Sequence, residues 1–308
     1  MWNMDFSPPV VVQARVLSRL PDALRLPRPS AWAAANKPGQ VVDCFLEGPS
    51  FDRAGNLYLT DIPHGRILRL DTAGRWQAVA ETGGWPNGIA IHRDGSLWVA
   101  DYRAGLLRVD PASGAVETLL GHRNSEAFKG LNDLVFDRAG RLYFTDQGQT
   151  GLHDPTGRVY RLGTDGKLDL LRSNLPSPNG IALDRAQGVL FVAATRGNSV
   201  WRMPLLADGS VSKAGAFRTF FGASGPDGLA MDCEDRLVVA HASLGGAFVL
   251  DARGNVTHFV RAPEGAGTVT NAAFRPGGGN TLVLTESHGG RVLEAELPSP
   301  GAPLFSHQ

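Results

Sequence analysis

The sequence is poor in cysteine. Cys44 and Cys233 are the only cysteines in 308 residues, and neither belongs to a CxxC pair. A disulfide scaffold and a zinc ribbon both need more thiols at closer spacing, so the sequence excludes both.

Long apolar runs and an excess of charge are also missing. No stretch approaches the roughly 18 apolar residues of a membrane helix, and the N-terminal region lacks the pattern of a signal peptide. Thirty Lys and Arg balance thirty Asp and Glu, which gives no indication of a nucleic-acid or membrane partner. We therefore expect a cytoplasmic protein. The sequence does not indicate its oligomeric state.

Glycine and short apolar segments are abundant instead, with 38 glycines and 43% hydrophobic residues. A unit made of a short apolar strand, a turn and a second strand occurs six times, and each copy opens on a polar residue. These six residues are Glu47, Asn87, Asn132, Asn179, Asp227 and Asn271. Their spacings of 40, 45, 47, 48 and 44 residues leave room for about four strands in each unit. This period predicts an all-β, six-bladed β-propeller.

The last unit has too little chain for four strands. Its third strand is predicted at Arg291–Leu297, and Val41–Phe45 lies just upstream of the first unit. We predict that Val41–Phe45 supplies the missing strand, so that the ring is closed by an N-terminal strand. Residues 41–308 then form the catalytic propeller domain. Residues 1–40 are predicted to be an N-terminal arm, lying on the outer surface or partly disordered.

The opening polar residues have a shared geometric meaning, because each stands where the chain enters the innermost strand. They are expected to surround one mouth of the central channel. The second strands run back to the same end, where they finish on a second set of residues: Asp61, Asp101, Asp146, His241 and Glu286. Two polar rings predict a pocket rich in oxygen donors.

A purely structural interpretation competes with this prediction. Asn87, Asn179 and Asp227 each precede a glycine, and Asn-Gly and Asp-Gly pairs form turns. Glu47 does not fit that interpretation, because glutamate is a poor turn former. The aspartates that end the second strands are more typical of scaffold residues that bind the backbone.

Four short motifs then suggest a family. They are Glu47-Gly48-Pro49, Asn132-Asp133, Ser177-Pro178-Asn179-Gly180 and Pro226-Asp227-Gly228. In this order and spacing the chain resembles the gluconolactonase and regucalcin (senescence marker protein) family of six-bladed propeller lactonases, over about residues 41–297. The resemblance implies one divalent metal ion bound by Glu47, Asn179 and Asp227, with Asn132 beside it and in contact with substrate.

The chain departs from the animal members of that family at one position. Those members carry an arginine that holds sugar hydroxyls, whereas this chain has Gly130, preceded by Lys129. Asn87 replaces a smaller residue and is expected to narrow the pocket, and His288 falls near the predicted mouth. Lys129, Asn87 and His288 are therefore further candidates for contacting the substrate.

The implied ligands are hard oxygen donors, which favour Ca²⁺, with Mg²⁺, Mn²⁺ or Zn²⁺ as alternatives. A cation there could polarise an ester carbonyl, and Asp227 could take a proton from the attacking water. The sequence thus predicts hydrolysis of a sugar lactone or similar small cyclic ester. Two alternatives stay open: a phosphotriesterase or paraoxonase-like hydrolase on the same metal site, and a non-catalytic propeller that binds protein or metal.

Overall fold

Almost all of the chain forms β-strands arranged around one axis. The computed structural model describes residues 7–307, and within them six sheets of four or five strands form the blades of a propeller. The prediction of an all-β, six-bladed propeller is confirmed.

The strands follow in chain order, with the N-terminal segment first. It contains β1 (Val10–Gln13), β2 (Arg15–Arg19) and helix α1 (Ala31–Asn36). The first blade contains β3 (Leu46–Phe51), β4 (Leu57–Asp61), β5 (Arg66–Leu70) and β6 (Trp76–Glu81). The second contains β7 (Pro86–Ile91), β8 (Leu97–Asp101), β9 (Gly105–Val109) and β10 (Val116–Leu120). A small hairpin follows, made of β11 (His122–Arg123) and β12 (Glu126–Ala127).

The remaining four blades continue the same pattern, and the sixth takes its fourth strand from the N-terminal segment. The third blade contains β13 (Leu131–Phe136), β14 (Leu142–Asp146), β15 (Gly157–Leu162) and β16 (Leu168–Leu175). The fourth contains β17 (Pro178–Leu183), β18 (Val189–Ala194), β19 (Ser199–Pro204) and β20 (Gly215–Thr219). The fifth contains β21 (Pro226–Met231), β22 (Leu237–His241), β23 (Gly246–Leu250) and β24 (Val256–Arg261). The sixth contains β25 (Val269–Phe274), β26 (Thr281–Glu286) and β27 (Arg291–Glu296). Short 3₁₀ turns cover Asp22–Leu24, Ile62–His64, Thr195–Gly197 and Phe305–His307.

The apolar core lies between neighbouring blades. Six clusters of buried side chains each join two blades, and the cluster that contains Leu59 and Val283 joins the first blade to the sixth. Each innermost strand packs against the innermost strand of the next blade, and β25 packs against β3. The burial of these faces therefore holds the ring together and fixes the positions of the six innermost strands around the axis.

The ring is closed by an N-terminal strand, as predicted, but the prediction of which residues form that strand was wrong. Residues Arg15–Arg19, not Val41–Phe45, pair antiparallel with Arg291–Glu296. The outermost strand of a blade lies three strand spacings, about 14 Å, from the innermost one. Phe45 directly precedes an innermost strand, so its segment cannot also reach the outer edge of the neighbouring blade.

The segment predicted as an arm thus contributes to two blades. β2 completes the sixth blade, and β1 pairs in parallel with β24 at the outer edge of the fifth. Residues 20–45 then return from the outside of the ring to the axis, across the face on which the innermost strands begin. Helix α1 lies on this path, where Trp32 and Ala33 pack against Val42 and Ile62.

The opposite face of the channel is covered by the C-terminal segment, residues 300–307. Its backbone forms hydrogen bonds with Met231 and Cys233 of the fifth blade and accepts one from the Arg53 side chain. The His307 imidazole contacts the Phe51 carbonyl of the first blade. Between this segment and the innermost strands lies a largely apolar cavity of about 460 Å³. Within residues 7–307, no helix has the length and apolar character needed to cross a bilayer.

Candidate functional site

A cavity of about 190 Å³ opens on the face where the innermost strands begin. Its wall contains five of the seven residues predicted for the site: Glu47, Asn87, Asn132, Asn179 and Asp227. The other two, Lys129 and His288, are exposed, and neither lines this cavity. Both lie in loops, where the regular alternation of a strand does not set the direction of the side chain.

A bulge places each of the five side chains in the cavity wall. In every blade that contributes one, the pairing between the first and second strands shifts register at the polar residue, as between Pro178 and Ile181 or between Pro226 and Leu229. A bulge bends its strand and turns a side chain out of the regular alternation. The polar residues can therefore face the axis although the strands around them are apolar.

The glycines that follow several of these residues allow the strands to approach one another closely. A Cβ on Gly180 would overlap the carbonyl oxygen of Asp227, and one on Gly228 would overlap the Asn271 side chain. These dipeptides lie inside strands rather than in turns, so the interpretation of them as turn residues was wrong. The hydroxyl of Thr145 donates to the Asn179 carbonyl at 2.7 Å and fixes the bulge from the neighbouring blade.

The aspartates that end the second strands have a structural role, as the sequence indicated. Each accepts a hydrogen bond from the backbone N–H of the residue that lies two positions before an opening polar residue. These bonds join Asp61 to Phe45, Asp101 to Trp85 and Asp146 to Gly130, over 2.9, 3.0 and 2.9 Å. They fix the chain where it enters the bulges that carry Glu47, Asn87 and Asn132.

The fourth blade has no such aspartate, because Ala194 occupies that position. Its entry is held instead by residues of the third blade. Gln147 accepts from the Asn132 amide nitrogen at 2.9 Å and donates to the Ser177 hydroxyl at 2.9 Å. The backbone N–H of Ser177 donates to the Thr150 hydroxyl. Gln147 therefore orients the Asn132 carboxamide and also holds the loop that leads to Asn179.

Glu47 is buried, with 4% of its surface exposed. Its Oε2 accepts from the Gly48 backbone N–H at 2.8 Å and from the Asn271 amide at 2.9 Å. Asn271, the opening residue of the sixth blade, thus acts as a partner of Glu47 and does not line the cavity. Burial raises the pKa of Glu47, although these bonds and Thr270 oppose the rise.

Three carboxylates converge near the axis. Burial raises the pKa of Asp227 well above its ordinary value, and the charges of Glu47 and Asp133 raise it further. Burial and the charge of Glu47 also raise the pKa of Asp133, to about 7. Asp133 faces the channel cavity beneath the site rather than the mouth. Two effects lower the pKa of Asp227 in part: a hydrogen bond with Asn179 and the positive charge of Arg196.

This donor set fits a hard divalent cation. The carboxylates of Glu47 and Asp227 and the amide oxygen of Asn179 are the ligand types that Ca²⁺ and Mg²⁺ take. Among residues 7–307, no group of three or more His, Cys, Asp and Glu side chains is arranged to hold a metal on its own. A metal at the mouth would therefore need amide oxygens, and its charge would relieve the repulsion between the carboxylates.

Other residues of the cavity wall were not predicted from the sequence. Ile62, Tyr102, Gln147 and Thr195 each follow directly after the end of a second strand. That shared position is a signal that the repeat alignment could have used. Trp32 and Asn36 come from helix α1, which lies outside the repeats and gives no such signal.

The comparisons with known proteins agree with this architecture. The sequence model of the SMP-30/Gluconolactonase/LRE-like region matches residues 45–288. Lactonase drp35 of Staphylococcus haemolyticus is 30% identical over 269 residues, covering 80% of this chain and 82% of that protein. A gluconolactonase of Zymomonas mobilis is 27% identical over 299 residues, covering 85% and 82%. The solved structure of regucalcin from Agrobacterium tumefaciens, a calcium-binding protein, superposes with a TM-score of 0.72 at 22% identity, covering 97% and 98%.

We predict that Ca²⁺ stabilises the protein more at about pH 8 than at about pH 5. Without a cation, the raised pKa values mean that Asp133, Glu47 and Asp227 hold more protons in the folded than in the unfolded state. The stability of the cation-free protein then falls as the pH rises from about 4 through 7, whereas a bound cation stabilises the ionised form. The measurement is the difference in Tm between calcium and EDTA buffers at the two pH values.

Burial lowers the pKa of His241 to about 4, so its contribution to stability changes between about pH 4 and its ordinary pKa near 6.5. That contribution is the same in both buffers and cancels in the difference. Glu47→Gln removes one charge and should reduce the pH dependence. Asp94→Asn, in the turn between β7 and β8, should leave it unchanged. A calcium effect that is the same at both pH values would contradict the prediction.

Proposed function

Because the chain belongs to the SMP-30/gluconolactonase/LRE-like family, we propose that it is a lactonase that hydrolyses a small cyclic ester at the channel mouth with the help of one divalent cation. The convergence of Glu47, Asn179 and Asp227 at one cavity carries this proposal. The names of the relatives support the reaction class, since one is a lactonase and another a gluconolactonase.

In this proposal Glu47, Asn179 and Asp227 hold the cation, with Ca²⁺ favoured by the donor set. When bound, a cation of this kind supplies positive charge that polarises the ester carbonyl. Asn132 lies in the same wall, and its amide nitrogen is bonded to Gln147, so its oxygen is oriented by that contact. We assign Asn132 to substrate contact and Asn87 to the narrowing of the cavity beside it.

Asp227 is the candidate general base. It is the carboxylate of the wall that remains partly accessible to the cavity, whereas Glu47 is buried and bonded to two donors. The base would take a proton from the water that attacks the carbonyl, and could return it to the alkoxide that leaves as the ring opens.

A second candidate is hydrolysis of phosphotriesters on the same residues. The observation that favours it is the aromatic part of the wall, where Trp85 and Tyr102 lie with ring centroids 5.6 Å apart. Few groups on that side could bind sugar hydroxyls. The assay below includes this alternative.

We expect the protein to open simple lactones in a cation-dependent way. The assay follows acid release from glucono-δ-lactone, δ-valerolactone and an alkyl-substituted δ-lactone, with an aryl phosphotriester measured in parallel. EDTA should abolish turnover and added Ca²⁺ should restore it. Turnover of the phosphotriester alone would favour the second candidate. If protein that is shown to bind Ca²⁺ hydrolyses none of these esters, the interpretation that remains is a non-catalytic binding module.

Asp227→Asn should lower lactone turnover by about 10²–10⁴-fold at saturating Ca²⁺, because the amide keeps an oxygen ligand but cannot act as a base. Glu47→Gln serves as the comparison, since its loss of turnover should be largely recovered by excess Ca²⁺. Turnover and calcium affinity, the latter by calorimetry, are measured for both variants. If excess Ca²⁺ restores Asp227→Asn to near the parent rate, Asp227 is a ligand and not the base.

Gln147→Leu should lower kcat by about 10- to 100-fold, because Asn132 loses the contact that orients it. Gln149→Leu is the matched control, since Gln149 lines the same cavity but donates only to the Tyr102 hydroxyl, at 3.2 Å. The kinetic constants are measured together with Tm and calcium affinity. A loss of kcat that only follows a loss of Tm would reduce Gln147 to a structural residue.

A further inference from the structure

One side of the cavity is built by a segment that lies outside the propeller repeats. Helix α1 places Trp32 and Asn36 in the cavity wall. Ser30 caps the helix by accepting from the Ala33 backbone N–H at 3.1 Å, and the Asn36 side chain donates to the Trp32 carbonyl. The helix precedes residue 45, where the match to the family begins. This part of the wall is therefore a feature of this chain rather than of the matched region.

The helix continues an apolar surface that the first two blades begin. Four aromatic residues and one isoleucine form what we call the aromatic wall: Trp32, Phe45, Trp85, Tyr102 and Ile62. The rings of Trp32 and Phe45 lie 4.9 Å apart, and those of Trp85 and Tyr102 lie 5.6 Å apart. Apart from the Tyr102 hydroxyl, which accepts from Gln149, the polar groups of the wall from these parts of the chain belong to Glu47, Asn36 and Asn87.

The remaining blades contribute a polar side. It contains the amides and charges of Asn132, Gln147, Asn179, Arg196 and Asp227. The cavity is thus divided between a polar side, which contains most of the proposed reacting groups, and the aromatic wall. A substrate whose ester faces the polar side places its substituent against the aromatic wall.

The aromatic wall is held in place by its own contacts. Trp32 is only 9% exposed and packs with Ala33, Val42 and Ile62. The Arg103 guanidinium lies 5.3 Å from the centre of the Trp85 ring. The Tyr102 ring fills the space beside Gly130, so that a side chain on residue 130 would overlap it.

This surface distinguishes between classes of lactone. Each methylene group buried against apolar side chains strengthens binding by about fourfold. Sugar hydroxyls placed there would lose their bonds to water and find few partners, which weakens binding. A volume of about 190 Å³ is small for a ligand pocket and suits one small ring with a short substituent.

We infer that the preferred substrates are lactones that carry a short alkyl or aryl substituent, and that Trp32 determines this specificity from outside the propeller. The inference rests on the lactonase activity proposed above. In this arrangement the ester of the ring faces Asp227 and Asn132, and the substituent packs between Trp32 and Trp85. A polyhydroxylated sugar lactone is a poorer substrate than an alkyl lactone with the same ring.

The test compares δ-valerolactone, its methyl, propyl and pentyl derivatives, and glucono-δ-lactone as substrates of the parent and of Trp32→Ala. For the parent, kcat/KM should rise with chain length until the cavity is filled, by up to about fourfold for each methylene. Trp32→Ala should lose about tenfold or more in kcat/KM for the longest chain that the parent accepts, mainly through KM. It should stay within about threefold of the parent on unsubstituted δ-valerolactone.

Trp201→Ala is the matched control. Trp201 lies in β19 of the fourth blade, donates to the Ser199 hydroxyl and does not line the cavity. Its removal should leave the order of substrates unchanged. Trp32→Phe keeps an aromatic ring and should retain part of the preference for long chains. Inhibition by alkyl-substituted and unsubstituted δ-lactams, measured on the parent protein, tests the same contact without any variant, so a folding defect in Trp32→Ala cannot hide the result.

The outcomes separate the two proposals. If no lactone is hydrolysed, the lactonase proposal fails and the inference fails with it. If lactones are hydrolysed but glucono-δ-lactone is preferred, the inference alone is overturned. It is also overturned if chain length has no effect on lactam inhibition, or if Trp32→Ala and Trp201→Ala change the preference equally.

Discussion

The crowding of three carboxylates at the axis of the ring is the constraint around which the site is organised. A propeller brings its innermost strands close together, so charged side chains that leave those strands must share a small volume. Glu47, Asp133 and Asp227 do so. Burial is the largest cause of their raised pKa values, and repulsion by the charge of Glu47 raises the pKa values of Asp133 and Asp227 further. The apolar clusters between the blades oppose this repulsion, because the blades cannot separate without exposing them. Since a folded domain is stable by only about 5–15 kcal/mol, a cation in the site would affect both chemistry and stability.

Repetition explains how much of the fold could be predicted. Each blade repeats the same strands, turn and opening polar residue, so the alignment of six copies located the innermost strands and five of the residues that share the cavity. Lys129 was assigned because it precedes the position at which the animal members of the family carry an arginine, and His288 because it falls near the predicted mouth. In loops, however, nearness along the chain does not determine which way a side chain points.

Features that occur once could not be found in this way. Arg15–Arg19 is far in sequence from the other three strands of its blade, and a strand that pairs with the far end of the chain carries no local sign of its partner. Helix α1 is a single short helix whose contact with the cavity depends on the path of residues 20–45. Gln147 is an intermediate case, since it occupies the same position after a second strand as Tyr102 and Ile62, but its function depends on the missing aspartate at Ala194. The parts of the site that distinguish this chain are therefore those that its repeats do not encode.

The closing strand also sets a condition on how the protein is made. Val16 pairs with Leu293, so β2 leaves the ribosome 277 residues before its partner. At about 5–20 residues per second, synthesis of the intervening chain takes roughly 14 to 55 s. During that time β2 has an unpaired edge, and the blades already formed curve into an open arc. An open arc can accept an equivalent strand from a second nascent chain, so the last pairing of the ring is the step at which intermolecular association competes with folding.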